Sequence, residues 1–67
     1  MPDIPQLSID VNDIYKDNKT NETYFIVANC EMKYLDDRWF RGVVYRDEKG
    51  NVFTMQINEF IRLHSIK

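Results

Sequence analysis

The densest run of chemistry-bearing side chains is Arg38-Trp39-Phe40-Arg41, continued by Tyr45-Arg46. Trp, Tyr and Arg are the types most enriched at binding hot spots, and the same types stack on bases and contact phosphates. Successive side chains of a strand alternate faces. Trp39, Arg41, Val43 and Tyr45 therefore share one face, and Arg38, Phe40, Gly42, Val44 and Arg46 the other. Phe40 and Val44, with Gly42 between them, suit a buried interior. That choice turns Trp39, Arg41 and Tyr45 outward and leaves Arg38 and Arg46 at the rims. The opposite choice makes Trp39 and Tyr45 core, with Arg41 covering them by its aliphatic stem. The expected binding residues are Trp39, Arg41, Tyr45, Arg38 and Arg46.

Catalytic chemistry fails on count. A nucleophile needs a base to activate it, and the base needs an orienting partner. Cys30 is the only thiol and His64 the only histidine, and they fall in different predicted strands. Cys30 reads as a small buried hydrophobe, and His64, close to the end of the sequence, as a surface residue. Zinc takes three or four His or Cys ligands, more than the chain has. Asp17-Asn18-Lys19-Thr20-Asn21-Glu22 places a lysine at a calcium-ligand position and lacks the glycine of such loops. Gly42 and Gly50 are the only glycines, too few for a phosphate-cradling loop. Asp36-Asp37 and Asp47-Glu48 sit in predicted turns, facing water. No catalytic residue, no metal and no cofactor is expected, so the chain reads as a non-enzyme.

The elements that position the arginine-aromatic run are strands. Sixty-seven residues make a single domain, 1–67, which buries only about 60% of its unfolded surface. The four Phe, four Tyr and one Trp are its large core items. A monomer is feasible, and so is a homodimer that hides spare aromatic surface. Met1 to Gln6, with two prolines, reads as a loose arm. Ile14-Tyr15-Lys16 reads as a short strand, Asp17 to Glu22 as a turn, and Thr23 to Cys30 as a strand with much of both faces covered. Glu31 to Leu35 fits either an extension of that strand or a loop, with Asp36-Asp37 turning into the strand Arg38 to Arg46. Asp47-Glu48-Lys49-Gly50 is a hairpin turn, with Gly50 free to take positive φ, and Asn51 to Gln56 is the returning strand. Near the end, Ile57, Phe60, Ile61 and His64 have helical spacing, while Ile61, Leu63 and Ser65 alternate with their neighbours. One helical or 3₁₀ turn at Ile57 to Phe60, followed by a short closing strand, reconciles the two. Gly42 inside a strand marks a bend, a bulge or a close approach. Five short strands, a bend and one helical turn fit a mostly all-β, small closed barrel.

That order of elements resembles an SH3-like small β-barrel, and the Val11-Asn12-Asp13-Ile14-Tyr15 stretch resembles the turn into its first strand. Tyr15-Lys16, Tyr24, Val43-Val44-Tyr45-Arg46 and Glu59-Phe60 are similar to motifs of a family of short bacterial and phage domains of unknown function. The likeness covers residues 11–66. It departs from that family at Phe53-Thr54-Met55-Gln56, where an aromatic followed by arginine and proline is the pattern. The resemblance implies a phage-encoded modulator of a host protein and carries no established activity.

A lone cysteine points to a reducing compartment. Met1-Pro2-Asp3-Ile4-Pro5 lacks the basic and apolar regions of a signal peptide, and no apolar run approaches the ~20 residues of a membrane helix. The expected location is cytoplasmic, with no membrane partner. In that setting the glycosylation-like triplets Asn18-Lys19-Thr20 and Asn21-Glu22-Thr23 read as turn residues. Nine basic against eleven acidic residues give a formal net charge of −2. That balance favours a protein partner over nucleic acid, because phosphate binding gains affinity from each Lys or Arg contact. A non-enzymatic module that binds another protein is the expected function, with a nucleic-acid-binding barrel as the alternative.

Overall fold

Residues rich in β-branched and aromatic types, which pack well on a pleated surface, form five strands: Ile14–Asp17 (β1), Thr23–Lys33 (β2), Trp39–Asp47 (β3), Val52–Gln56 (β4) and His64–Ile66 (β5). A short helix, Ile57–Leu63 (α1), lies between β4 and β5. The computed structural model describes residues 9–67, so the expectation of a loose arm at Met1 to Gln6 lies outside the described residues. Glu31 to Lys33 extend β2, and α1 runs past the single turn expected at Ile57 to Phe60.

Two carboxylates organise the turns. Asp17 Oδ1 accepts the backbone N–H of Lys19 (2.7 Å) and Thr20 (3.0 Å), and Asn21 completes the β1–β2 turn at φ 63°. Asp47 Oδ1 accepts the backbone N–H of Lys49 and Asn51, both at 2.9 Å, and Gly50 takes φ 89°. Hydrogen bonds that favour the charged form hold both carboxyls below their ordinary range. For Asp17 the backbone N–H of Thr20 contributes most, and for Asp47 the side chain of Asn51.

The sheet is antiparallel with strand order β4-β3-β2-β1-β5. A register shift between Ile26 and Ala28 marks a bulge. Before it, Tyr24 and Ile26 face the core; after it, Asn29, opposite buried Val43, takes that side. Ile9, Ile26, Val43, Tyr45, Ile57 and Phe60 form the buried core, with Tyr15, Tyr24 and Met55 packed against it. The Phe60 ring lies 4.8 Å from Tyr45 and 5.2 Å from Tyr15. Such aromatic pairs add to what burial alone contributes.

The closed barrel expected from the sequence is not formed. Among the described residues β4 pairs only with β3, and β5 only with β1, so the sheet remains open. The chain between the two edge strands folds as α1 and packs against β3, β4 and β5. Ile57 and Phe60 therefore cover the interior with side chains instead of a closing strand pair.

Of the two faces of β3 that the sequence left open, the one carrying Val43 and Tyr45 is buried, so Tyr45 is not the outward binding residue expected. Val43 is fully buried and Tyr45 is 6% exposed, while Phe40 and Val44 lie on the opposite face. The choice turned on which side the helix covers, because both sides of β3 are apolar enough to be interior.

Candidate functional site

The β2–β3 hairpin continues beyond the rest of the sheet. Pairing of β1 with β2 ends at Ile14↔Phe25, and pairing of β4 with β3 ends at Gly42↔Gln56. The pairs Glu31↔Arg41, Met32↔Phe40 and Lys33↔Trp39 thus form a ribbon with no third described strand beside it. The molecule is correspondingly elongated, measuring 36 × 21 × 20 Å. Gly42 sits at the base of the ribbon, where a Cβ would stand 2.6 Å from Met32 Sδ and 2.9 Å from Cys30 Sγ. Of the bend, bulge or close approach that Gly42 could mark, the close approach is what its cross-strand neighbours make.

At the ribbon's end Tyr34 N–H donates to Arg38 C=O (2.9 Å) and Asp37 N–H to Tyr34 C=O (3.0 Å). Asp37 turns the chain at φ 64°. Leu35 is 107% exposed, Trp39 54% and Tyr34 41%. Tyr34, Leu35 and Asp36 line a shallow depression, and the Tyr34 ring packs on Phe40 at 4.6 Å. The charges here are matched locally: Lys33 pairs with Asp37 at 3.2 Å and Arg38 with Asp36 at 2.5 Å. The same cations lie over rings, Lys33 at 5.6 Å from Trp39 and Arg38 at 5.5 Å from Phe40. The tip is thus apolar and aromatic, with its charges paired locally.

The five sequence-predicted binding residues do not form one cluster. Arg38 and Trp39 stand at the ribbon's end, with Arg41 two residues inward, opposite Glu31 in the ladder. Tyr45 belongs to the core. Arg46 lies eight residues from Arg38 along the strand, about 26 Å at the usual rise, and stacks over Phe25 at 4.3 Å. Tyr34 and Leu35 join the site although the sequence reading left them in an ambiguous segment. Their signal was available: two large apolar residues immediately before Asp36-Asp37, in a stretch too polar to be core.

His64 is not the surface residue expected from its position. It is 5% exposed, its ring stacks on Phe60 at 4.1 Å, and Tyr24 and Tyr45 lie beside it. Its Nδ1–H donates to the Phe60 carbonyl (2.9 Å) at the end of α1, and Nε2 is 3.8 Å from Asp17 Oδ2. This arrangement closes the core and satisfies a helix C-terminal carbonyl. Cys30, opposite Gly42, is on the other face of the sheet, so the thiol and the imidazole are not brought together. Among the described residues no group of three or more His, Cys, Asp or Glu is placed to hold a metal ion, and no helix is long and apolar enough to cross a membrane.

Comparison with known proteins returned no matching family, no similar curated protein and no similar solved structure.

Proposed function

We propose that the chain is a small non-enzymatic interaction module that binds another protein through the end of its β2–β3 hairpin. The observation that carries this reading is the pairing of exposed Leu35, Trp39 and Tyr34 with locally neutralised charges on a ribbon outside the core. Large aromatic anchors at the centre of a patch, ringed by paired polar groups, are the arrangement of binding hot spots. Arg38 and Arg41 border the patch and orient the partner.

The finer fold reading, an SH3-like barrel left open, is supported by the strand order and by α1 between β4 and β5. The reading as a phage-encoded modulator of a host protein is supported by the sequence resemblance, and a cytoplasmic setting by the lone cysteine.

The test is capture of a partner from nuclease-treated lysate by the wild type, Trp39→Ala and Leu35→Asp. Both substitutions lie outside the core, so thermal unfolding should shift by no more than about 0.5 kcal/mol. A partner held by wild type and lost by both folded variants supports the reading. Equal capture by all three overturns the site. Oligonucleotide binding that weakens steeply with salt, with no protein captured, gives the function to nucleic acid instead.

A further inference from the structure

Among the described residues β4 is the last strand on its side of the sheet. Its five residues, Val52-Phe53-Thr54-Met55-Gln56, include no charge, no proline and no glycine. Val52 is 62% and Phe53 41% exposed. Edge strands are ordinarily blunted by charge, proline, bulges, shortness or cover. The opposite edge follows that rule: β5 has three residues, and Lys67 beside it donates from Nζ to Thr23 Oγ1 at 2.7 Å. Among the described residues β4 has no charge, proline or bulge, and no strand pairs beyond it.

The hydrogen-bonding state of its backbone follows from one contact. Asp47 N–H donates to Asn51 C=O at 3.0 Å, and in an antiparallel ladder bonded and non-bonded pairs alternate. Counting along Arg46↔Val52, Tyr45↔Phe53, Val44↔Thr54, Val43↔Met55 and Gly42↔Gln56, Phe53 and Met55 bond to β3. The N–H and C=O of Val52 and Thr54, and the N–H of Gln56, point away from it. Gln56 is the N-cap of α1, so its C=O is taken by the first turn of the helix.

We propose that two copies of this chain pair antiparallel along β4, about a twofold axis through Thr54. This is the register in which the whole strand overlaps itself end to end. Thr54 exchanges both backbone bonds with Thr54 of the second copy. Val52 C=O accepts from Gln56 N–H of the second copy, and the reverse holds on the other side of the axis. On the core-side face Phe53 meets Met55, and on the outer face threonine meets threonine, both favourable cross-strand pairs. An uncharged strand meets no like-charge repulsion from its own copy, with Val52 facing the Gln56 amide at each end of the overlap, and the isologous contact closes the assembly while removing both exposed edges. Such a dimer presents two hairpin ends, so that partner binding, if it follows the reading above, becomes bivalent; the dimer itself does not depend on that reading.

Sedimentation equilibrium of the full chain from micromolar to millimolar concentration tests the proposal. Wild type is expected to pass from 8.1 kDa to twice that mass. Thr54→Asp and Thr54→Lys each put like charges across the axis, and each alone should self-associate about tenfold more weakly or worse. An equimolar mixture of the two should associate again. Amide exchange gives an independent readout in the unmodified protein: the N–H groups of Thr54 and Gln56 should slow as concentration rises, while those of Phe53 and Met55 are slow throughout. A wild type of 8.1 kDa at every concentration overturns the proposal. So does a dimer that both charged variants leave intact, or a mixture that fails to associate. If either variant loses its fold by circular dichroism, the concentration dependence of exchange at Thr54 and Gln56 decides.

Discussion

At the scale of single residues, Tyr24 shows how placement changes chemistry. Its ring makes edge contacts with Tyr45 (5.2 Å) and His64 (5.3 Å), and its hydroxyl donates to Glu22 Oε2 at 3.0 Å. Burial first, and then the bond to the Glu22 carboxylate, push its phenol up to about 12 from an ordinary 10.0. Burial raises Tyr15 and Tyr45 as well. The fold favours the neutral phenol, so the stability from this site is complete below pH 10 and is lost as pH rises from 10 toward about 12. Chemical denaturation across that interval should show stability falling with pH. In Tyr24→Phe the fall should be shallower yet still present, because Tyr15 and Tyr45 remain. An unchanged slope in the variant would remove Tyr24 from this account.

At the scale of elements, the β2–β3 hairpin is held at its base by the fit of Met32 and Cys30 over Gly42. An added Cβ there meets Met32 Sδ at 2.6 Å and Cys30 Sγ at 2.9 Å. Met32 has flexible torsions with which to yield, whereas the Cys30 sulfur sits on a short side chain. Gly42→Ala should therefore destabilise by about 1–3 kcal/mol, the usual cost of overpacking. Met32→Ala in the same background should recover part of the loss, which a double-mutant cycle by thermal denaturation would measure as coupling. Strict additivity would mean that Cys30 or the backbone alone takes the strain. The next hairpin, β3–β4, was legible because Asp47-Glu48-Lys49-Gly50 combines a side-chain acceptor with a glycine free to take φ 89°. The extension of β2 to Lys33 was not, since Glu31 to Lys33 carry polar residues on one side and gain their strand state only from pairing with β3.

At the scale of the whole molecule, one short helix replaces barrel closure. Phe60 is fully buried and touches Tyr15, Tyr45 and His64, joining β1, β3 and β5. Truncating a buried Phe costs about 3–5 kcal/mol, while a chain of this size has about 3–10 kcal/mol in total. Phe60→Ala is expected to abolish the cooperative thermal transition seen by near-ultraviolet circular dichroism, or bring it close to room temperature. A variant that melts within a few degrees of wild type would show that the open sheet holds without the helix.

Residue types and their spacing were enough to place the cores of the strands, both main turns and the helical turn after Gln56, though not the extension of β2 to Lys33. These follow from local physics, from turn geometry and side-chain alternation. Which face of β3 is buried was decided only in three dimensions, because Val43 and Tyr45 on one side and Phe40 and Val44 on the other are equally able to fill a core. Tertiary packing likewise drew His64 inward onto Phe60, separated Arg46 and Tyr45 from Arg38 and Trp39, and brought Tyr34 and Leu35 to the tip. Alternation places side chains on faces; only the covering helix and the length of pairing beyond it settle which face meets water.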